Sequence, residues 1–184
     1  MIIGNNILEN RDLTIKERAL LYYLMTHCRG KHYRVLRYKD IAKYLDYKNK
    51  HFGTVKKSIV KRLVKLQEQG YIKINTNAIY TFWVSLNAPL LSNFTPDKFS
   101  VKSNYITIPE NILNSVNGKF IPILASLYYY NNYILGSEPF KYIWCANFSG
   151  CTKNTLHEYL NELIELNVIE ESPVGVKQGG YLIK

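Results

Sequence analysis

Five cations, Lys56, Lys57, Lys61, Arg62 and Lys65, stand within a twelve-residue stretch, 54–65, that also holds hydroxyls at Thr54 and Ser58. Ammonium and guanidinium groups repeated along one surface neutralise a row of phosphates, and short hydroxyl side chains permit close approach to base edges. Covalent and metal chemistry finds no comparable pattern. The chain has no Gly-x-x-x-x-Gly-Lys loop to cradle a nucleotide. Its four histidines, His27, His32, His51 and His157, stand singly, with no His-x-His or His-Glu-x-x-His. None of the 16 tyrosines therefore sits beside the clustered metal ligands that a strand-nicking nucleophile needs. Cys145, Cys151 and His157 share a Cys-x5-Cys-x5-His spacing, and His27, Cys28 and His32 are close in sequence; neither set has zinc-ligand spacing or a fourth ligand. No catalytic residue, metal or cofactor is expected, and the chain reads as a binding protein, not an enzyme.

The cations need a helix to align them. Val55, Ile59, Leu63 and Leu66 recur at i, i+4, i+8 and i+11, one apolar stripe on a helix over residues 54–70. Lys57, Lys61 and Lys65 form a second row about 200° round from the first. Thr54 is placed to cap this helix and Gly70 to end it. Such a helix buries one side and offers the other to the DNA major groove. A merely solvated lysine face is the plain alternative.

Charge distribution weighs on that choice. The chain has 184 residues, enough for one large domain or two modules, and a formal charge of +10. Residues 1–88 hold 17 Lys and Arg against 6 Asp and Glu, a net of +11; residues 89–184 hold 7 against 8, a net of −1. One half is built to meet a polyanion and the other is not. No apolar run reaches the ~18 residues of a membrane span, and no leader-like segment opens the chain. Three cysteines make no disulfide framework. A soluble, cytoplasmic, DNA-associated protein is expected.

Around the basic helix the first module, residues 1–88, takes shape. An arm, residues 1–12, leads to Thr14 and Glu17, a capping box before a helix to His27. Arg34–Tyr38 suits a short strand, and Lys39–Leu45 a two-turn helix with Ile41, Ala42 and Leu45 inward. A long polar connection, Asp46–Gly53, joins it to the basic helix. Then Tyr71–Asn75 and Ile79–Leu86 flank a short turn as a hairpin. Helix, strand, helix, helix, hairpin is the order of a winged helix. Leu13-Thr-Ile-Lys-Glu-Arg-Ala-Leu-Leu-Tyr22, Asp40-Ile-Ala-Lys-Tyr-Leu45, Thr54-Val-Lys-Lys-Ser-Ile-Val-Lys-Arg-Leu63 and Gln69-Gly-Tyr-Ile72 resemble the winged helix-turn-helix domains of Gram-positive plasmids and phages, found in replication initiators, replisome organisers and related regulators. By that likeness Thr54, Lys57, Ser58 and Lys61 face base edges, and residues 73–77 fall on the wing.

Residues 89–103, with Pro89 and Pro96, read as a linker. In residues 104–184 the same order returns. Tyr105–Ile108 alternates like a strand, Pro109 and Glu110 open a short helix, and Lys119–Leu135 is apolar and tyrosine-rich. Phe140–Phe148 suits a short helix, Ser149–Cys151 a turn, Thr152–Asn167 a capped helix, and Val168–Ser172 with Tyr181–Lys184 a hairpin. The expected fold class is α+β, mainly α with small β-hairpins, as two tandem winged helix-turn-helix modules. The second presumed recognition helix is differently dressed. Lys153, Asn154 and His157 could make a secondary DNA contact, but Glu158, Glu162 and Glu165 would repel phosphate.

The expectation is thus a sequence-specific duplex DNA-binding protein of a plasmid or phage. Its contacts are Thr54, Lys56, Lys57, Ser58, Lys61, Arg62 and Lys65 on the helix, with Lys73 and Asn77 on the wing. Replication initiation is favoured by resemblance; transcriptional regulation, or a winged-helix scaffold without DNA, is the alternative. Residues 104–184 are the place for a homodimer or a partner protein.

Overall fold

A computed structural model of the chain describes residues 1–28, 33–47, 51–87, 105–133, 141–171 and 180–184. These fold as helices with three small antiparallel sheets, the α+β class. Among the described residues the chain forms two compact units. One gathers 16–87 with 117–119, and the other gathers 1–15, 105–116 and 120–184.

In the first unit, helix α2 (Ile15–His27) is apolar on nearly every side, and all residues from Glu17 to Met25 are buried. Such a helix is a core element rather than a surface one. Strand β2 (Arg34–Arg37), helix α3 (Tyr38–Tyr44), helix α4 (Phe52–Glu68), strand β3 (Ile72–Asn75) and strand β4 (Thr81–Leu86) follow. Val55, Ile59, Leu63 and Leu66 of α4 are each at most 4 % exposed. Each such burial contributes about 1.5–3 kcal/mol, which fixes the roll of the helix about its axis.

The start of α4 differs from the sequence-based expectation. Its N-cap is His51, whose Nδ1 accepts from the Gly53 amide at 3.2 Å, so Thr54 lies inside the first turn instead of capping it. Gly53, read as the end of a polar connection, is helical. Of that connection, residues 48–50 lie outside the described residues. The C-terminal end follows the expected chemistry. Gly70 has φ +78°, and the amides of Gly70 and Tyr71 donate to the carbonyls of Gln67 and Leu66. This crossed pair closes the helix and turns the chain directly into β3.

The expected hairpin is part of a larger sheet. β2 joins it to give the antiparallel order β2–β4–β3. Phe82, Val84 and Leu86 of β4 and Ile72 of β3 are buried on one face, while Trp83, Lys73 and Asn75 alternate to the other. β4 begins two residues later than the apolar run, because Ile79 and Tyr80 belong to the loop. There the Tyr80 carbonyl accepts from the Tyr38 amide at 3.1 Å.

In the second unit, strand β5 (Tyr105–Thr107) is followed by helices α5 (Glu110–Ser115), α6 (Ile121–Tyr133), α7 (Tyr142–Ser149) and α8 (Lys153–Glu165). Strands β6 (Ile169–Glu171) and β7 (Tyr181–Ile183) then pair antiparallel. The arm assigned by sequence to the first module is built in here. Strand β1 (Ile2–Gly4) pairs antiparallel with β5, and Ile3, Ile7 and Leu8 have no exposed surface. These apolar side chains, carried on β1 and helix α1 (Asn5–Glu9), outweigh the polar residues that made the segment read as a tether. The linker 89–103 and residues 172–179, between the two strands expected as the second hairpin, lie outside the described residues.

Element order repeats in part along the chain: β1–α1–α2, β2, α3–α4 and a hairpin, then β5–α5–α6, α7–α8 and a hairpin, with no counterpart of β2 among the described residues. Residues follow suit, with Asn6-Ile-Leu8 and Ala19-Leu-Leu-Tyr-Tyr23 answered by Asn111-Ile-Leu113 and Ala125-Ser-Leu-Tyr-Tyr129. Helix α8 ends as α4 does, with Asn167 at φ +56° in place of Gly70 and the Asn167 and Val168 amides donating to Ile164 and Leu163.

A Cβ at Gly70 would meet no atom within 4 Å. Gly70→Ala should therefore cost only the left-handed backbone penalty, about 1–2 kcal/mol. Urea denaturation should show a lowered midpoint at unchanged slope.

Candidate nucleic-acid interface

With the apolar stripe of α4 turned inward, Thr54, Lys57 and Lys61 emerge exposed on the opposite side. Thr54 to Lys57 and Lys57 to Lys61 are spaced i+3 and i+4, so the three side chains form one ridge along the first three turns. Glu68, also exposed, brings a carboxylate to the far end of the same helix and limits a phosphate footprint there.

The remaining predicted contacts on the helix are engaged within the protein. The ammonium of Lys56 donates to the Ala78 carbonyl at 3.2 Å and lies 5.2 Å from the centre of the Tyr38 ring. It ties the β3–β4 loop to the helix. Arg62 Nη1 donates to the Ser58 carbonyl at 2.7 Å and to the Ser58 hydroxyl, which also meets the Tyr47 hydroxyl at 3.1 Å. Ser58 and Arg62 thus form a partly buried network that braces the connection before α4. Lys65 is ion-paired with Glu17 of α2 at 2.9 Å. Glu17, read as part of a capping box, is only 8 % exposed, and Lys65 is its counter-charge.

Lys73 and Asn77 are exposed, but they do not extend the helix ridge. Lys73 stands on the outward face of the sheet, away from the face holding Ile72 and Val84. Asn77 sits in the loop, where its amide donates to Asn75 Oδ1 at 3.2 Å. Beside the start of α4, Phe52 and Tyr80 lie with ring centres 5.8 Å apart and are both exposed. This apolar pair was not visible in sequence, since the two residues are separated by helix, strand and turn. The outward sheet face, with Trp83, Val35 and Arg37, is legible in principle from period-two alternation.

In the second unit, Thr152 caps α8 by accepting from the Thr155 amide at 3.3 Å, and Lys153, Asn154 and His157 are exposed. The His157 ring stacks on Tyr142 at 4.4 Å, and the Tyr142 hydroxyl meets that of Tyr181 at 2.9 Å. Glu158 and Glu165 are exposed on the same helix. The Cys145 thiol is buried, and burial pushes it up to about 12, so it is held as a thiol at neutral pH. A recess of about 320 Å³, lined by Glu9, Arg11, Tyr129, Trp144 and Phe148, opens elsewhere in this unit.

No family model, no curated protein and no solved structure matches the chain.

Removing Lys65 should leave the nearly buried Glu17 carboxylate short of its cation. Lys65→Met is expected to lower stability by about 1–3 kcal/mol. Lys57→Met and Lys61→Met should stay within about 0.5 kcal/mol of the parent protein in the same denaturation series.

Proposed function

We propose that the chain is a sequence-specific duplex DNA-binding protein made of two tandem winged helix-turn-helix modules, with α4 as its recognition helix. The observation that carries this is the exposed Thr54–Lys57–Lys61 ridge on a helix locked in place by its buried stripe. The sheet order β2–β4–β3, with the β3–β4 loop fastened to α4 through Lys56, supports a wing beside that helix. In such a complex Lys57 and Lys61 take phosphates and Thr54 approaches base edges. Ser58, Arg62, Lys56 and Lys65 orient the helix rather than touch the duplex. With arginine tied down, guanine has no bidentate reader on this ridge, so sequence discrimination rests largely on duplex shape and on AT-rich sites.

For α8 the exposed Lys153 and Asn154 offer a lesser contact, and its glutamates leave the second module to assembly or partner binding. Within this function, the resemblance favours replication initiation of a plasmid or phage over regulation of its transcription. The duplex carried by such an element is the partner; no cofactor or metal is invoked.

Binding to duplexes selected from a random pool should weaken steeply between ~50 and ~200 mM salt. Lys57→Glu with Lys61→Glu should abolish it while the urea midpoint is unchanged. Affinity that survives the double reversal, or that ignores salt, would remove α4 from the interface.

A further inference from the structure

The sheet of the first unit has an outward face that the duplex-binding ridge does not use. Register places Val35, Trp83 and Asn75 in one row across β2, β4 and β3. Arg37 and Thr81 form the next row on one side, and Lys73 with Ser85 the row on the other. Rows on the same face are about 7 Å apart along the strands, and neighbouring strands about 4.8 Å apart. Trp83 is 50 % exposed at the centre of this face and Val35 51 % exposed beside it. Tyr33, one residue before β2, continues the alternation and is 52 % exposed. A tryptophan in mid-sheet loses much hydrophobic stabilisation by standing in water.

The charges on its three strands have one sign. The three strands carry Arg34, Arg37 and Lys73 and no carboxylate. Of these, Arg37 and Lys73 share the outward face with Trp83, diagonally opposite each other, and both are exposed. Aromatic faces flanked by cations on an acid-free sheet match one occupant well: a strand whose unpaired bases stack while its phosphates meet the cations. A duplex does not fit, because its bases are already stacked and its edges alone are open. A second copy of this chain would bring Arg37 and Lys73 against the same like-charged face.

We infer that the outward face of the β2–β4–β3 sheet binds single-stranded DNA, with Trp83 stacking on a base and Arg37 and Lys73 holding the flanking phosphates. The choice of DNA over RNA rests on the duplex-binding function proposed for α4; the stacking site itself does not. Duplex and unpaired strand would then occupy separate surfaces of one unit, the helix ridge and the sheet face.

The test uses the full chain carrying Trp144→Phe, so that Trp83 alone reports fluorescence. Titration with a short oligothymidylate should quench that signal, and added salt should reverse it. Trp83→Ala, followed by anisotropy of a labelled oligothymidylate, should lower affinity about ten- to a hundredfold. Trp83→Phe should restore much of the loss, and duplex binding should be unchanged in both. Arg37→Gln and Lys73→Gln should each reduce the salt dependence by about one phosphate contact.

Absence of quenching, or equal affinity in Trp83→Ala, would overturn the inference. So would loss of oligothymidylate binding in the Lys57→Glu, Lys61→Glu protein, which would place both strands on α4. Preference for oligouridylate would overturn the assignment to DNA. A dimer that dissociates in Trp83→Ala without any oligonucleotide binding would give the face to a second copy. If duplex binding fails and Trp83-dependent oligothymidylate binding persists, the proposal for α4 falls and this one stands.

Discussion

The arrangement of the basic unit depends on one constraint, the burial of Val55, Ile59, Leu63 and Leu66 along a single side of α4. Four branched side chains on one stripe leave the helix no freedom to roll. Everything on the opposite side is then exposed by necessity, whatever its charge. Five cations on so short a helix repel one another, and the fold relieves this by giving three of them internal partners. Lys65 answers Glu17, Lys56 a loop carbonyl and an aromatic face, and Arg62 the Ser58 carbonyl and hydroxyl. What remains outward is a narrower cationic ridge than composition implies, on a helix braced from three sides. A preorganised helix loses less entropy on docking than a loose one would.

Elements with strong periodicity were legible in the sequence. The stripe on α4, the capped helix beginning at Thr152 and the alternating strands each carry their own pattern, and the structure has elements at those places. Gly70 was legible because only a few residue types tolerate a left-handed backbone. Failures had a common physical origin, since they turned on contacts between residues far apart in sequence. Thr54 looked like a cap until His51 supplied an earlier one. Lys65 looked like a phosphate contact because Glu17 lies 48 residues away. Residues 1–12 looked like a tether because their partner, β5, lies about a hundred residues further on.

The site was legible in the same unequal way. A helical wheel shows that Lys57 and Lys61 share a face, but it cannot show which cations spend their charge internally. Lys73 falls on β3 of the expected hairpin, and strand alternation sets its side chain on the sheet's outer face, opposite Ser85. The aromatic pair Phe52 and Tyr80 follows from loop geometry at the β3–β4 turn, for which turn composition gave no distance. Charge asymmetry between the halves held at the level of single helices: α4 presents cations where α8 presents glutamates.

The pairing of Ile2–Gly4 with Tyr105–Thr107 also has a temporal side. A ribosome delivers the first of these strands long before the second, and all of residues 16–87 emerge in the interval. The basic unit draws its strands and helices from that interval, so most of it is free to fold while β1 still lacks its neighbour. Closing a loop of this length is entropically slow compared with forming the local helices inside it. The chain therefore carries a built-in order of assembly, in which the basic unit is free to mature first and the unit that captures the N-terminal strand is sealed last.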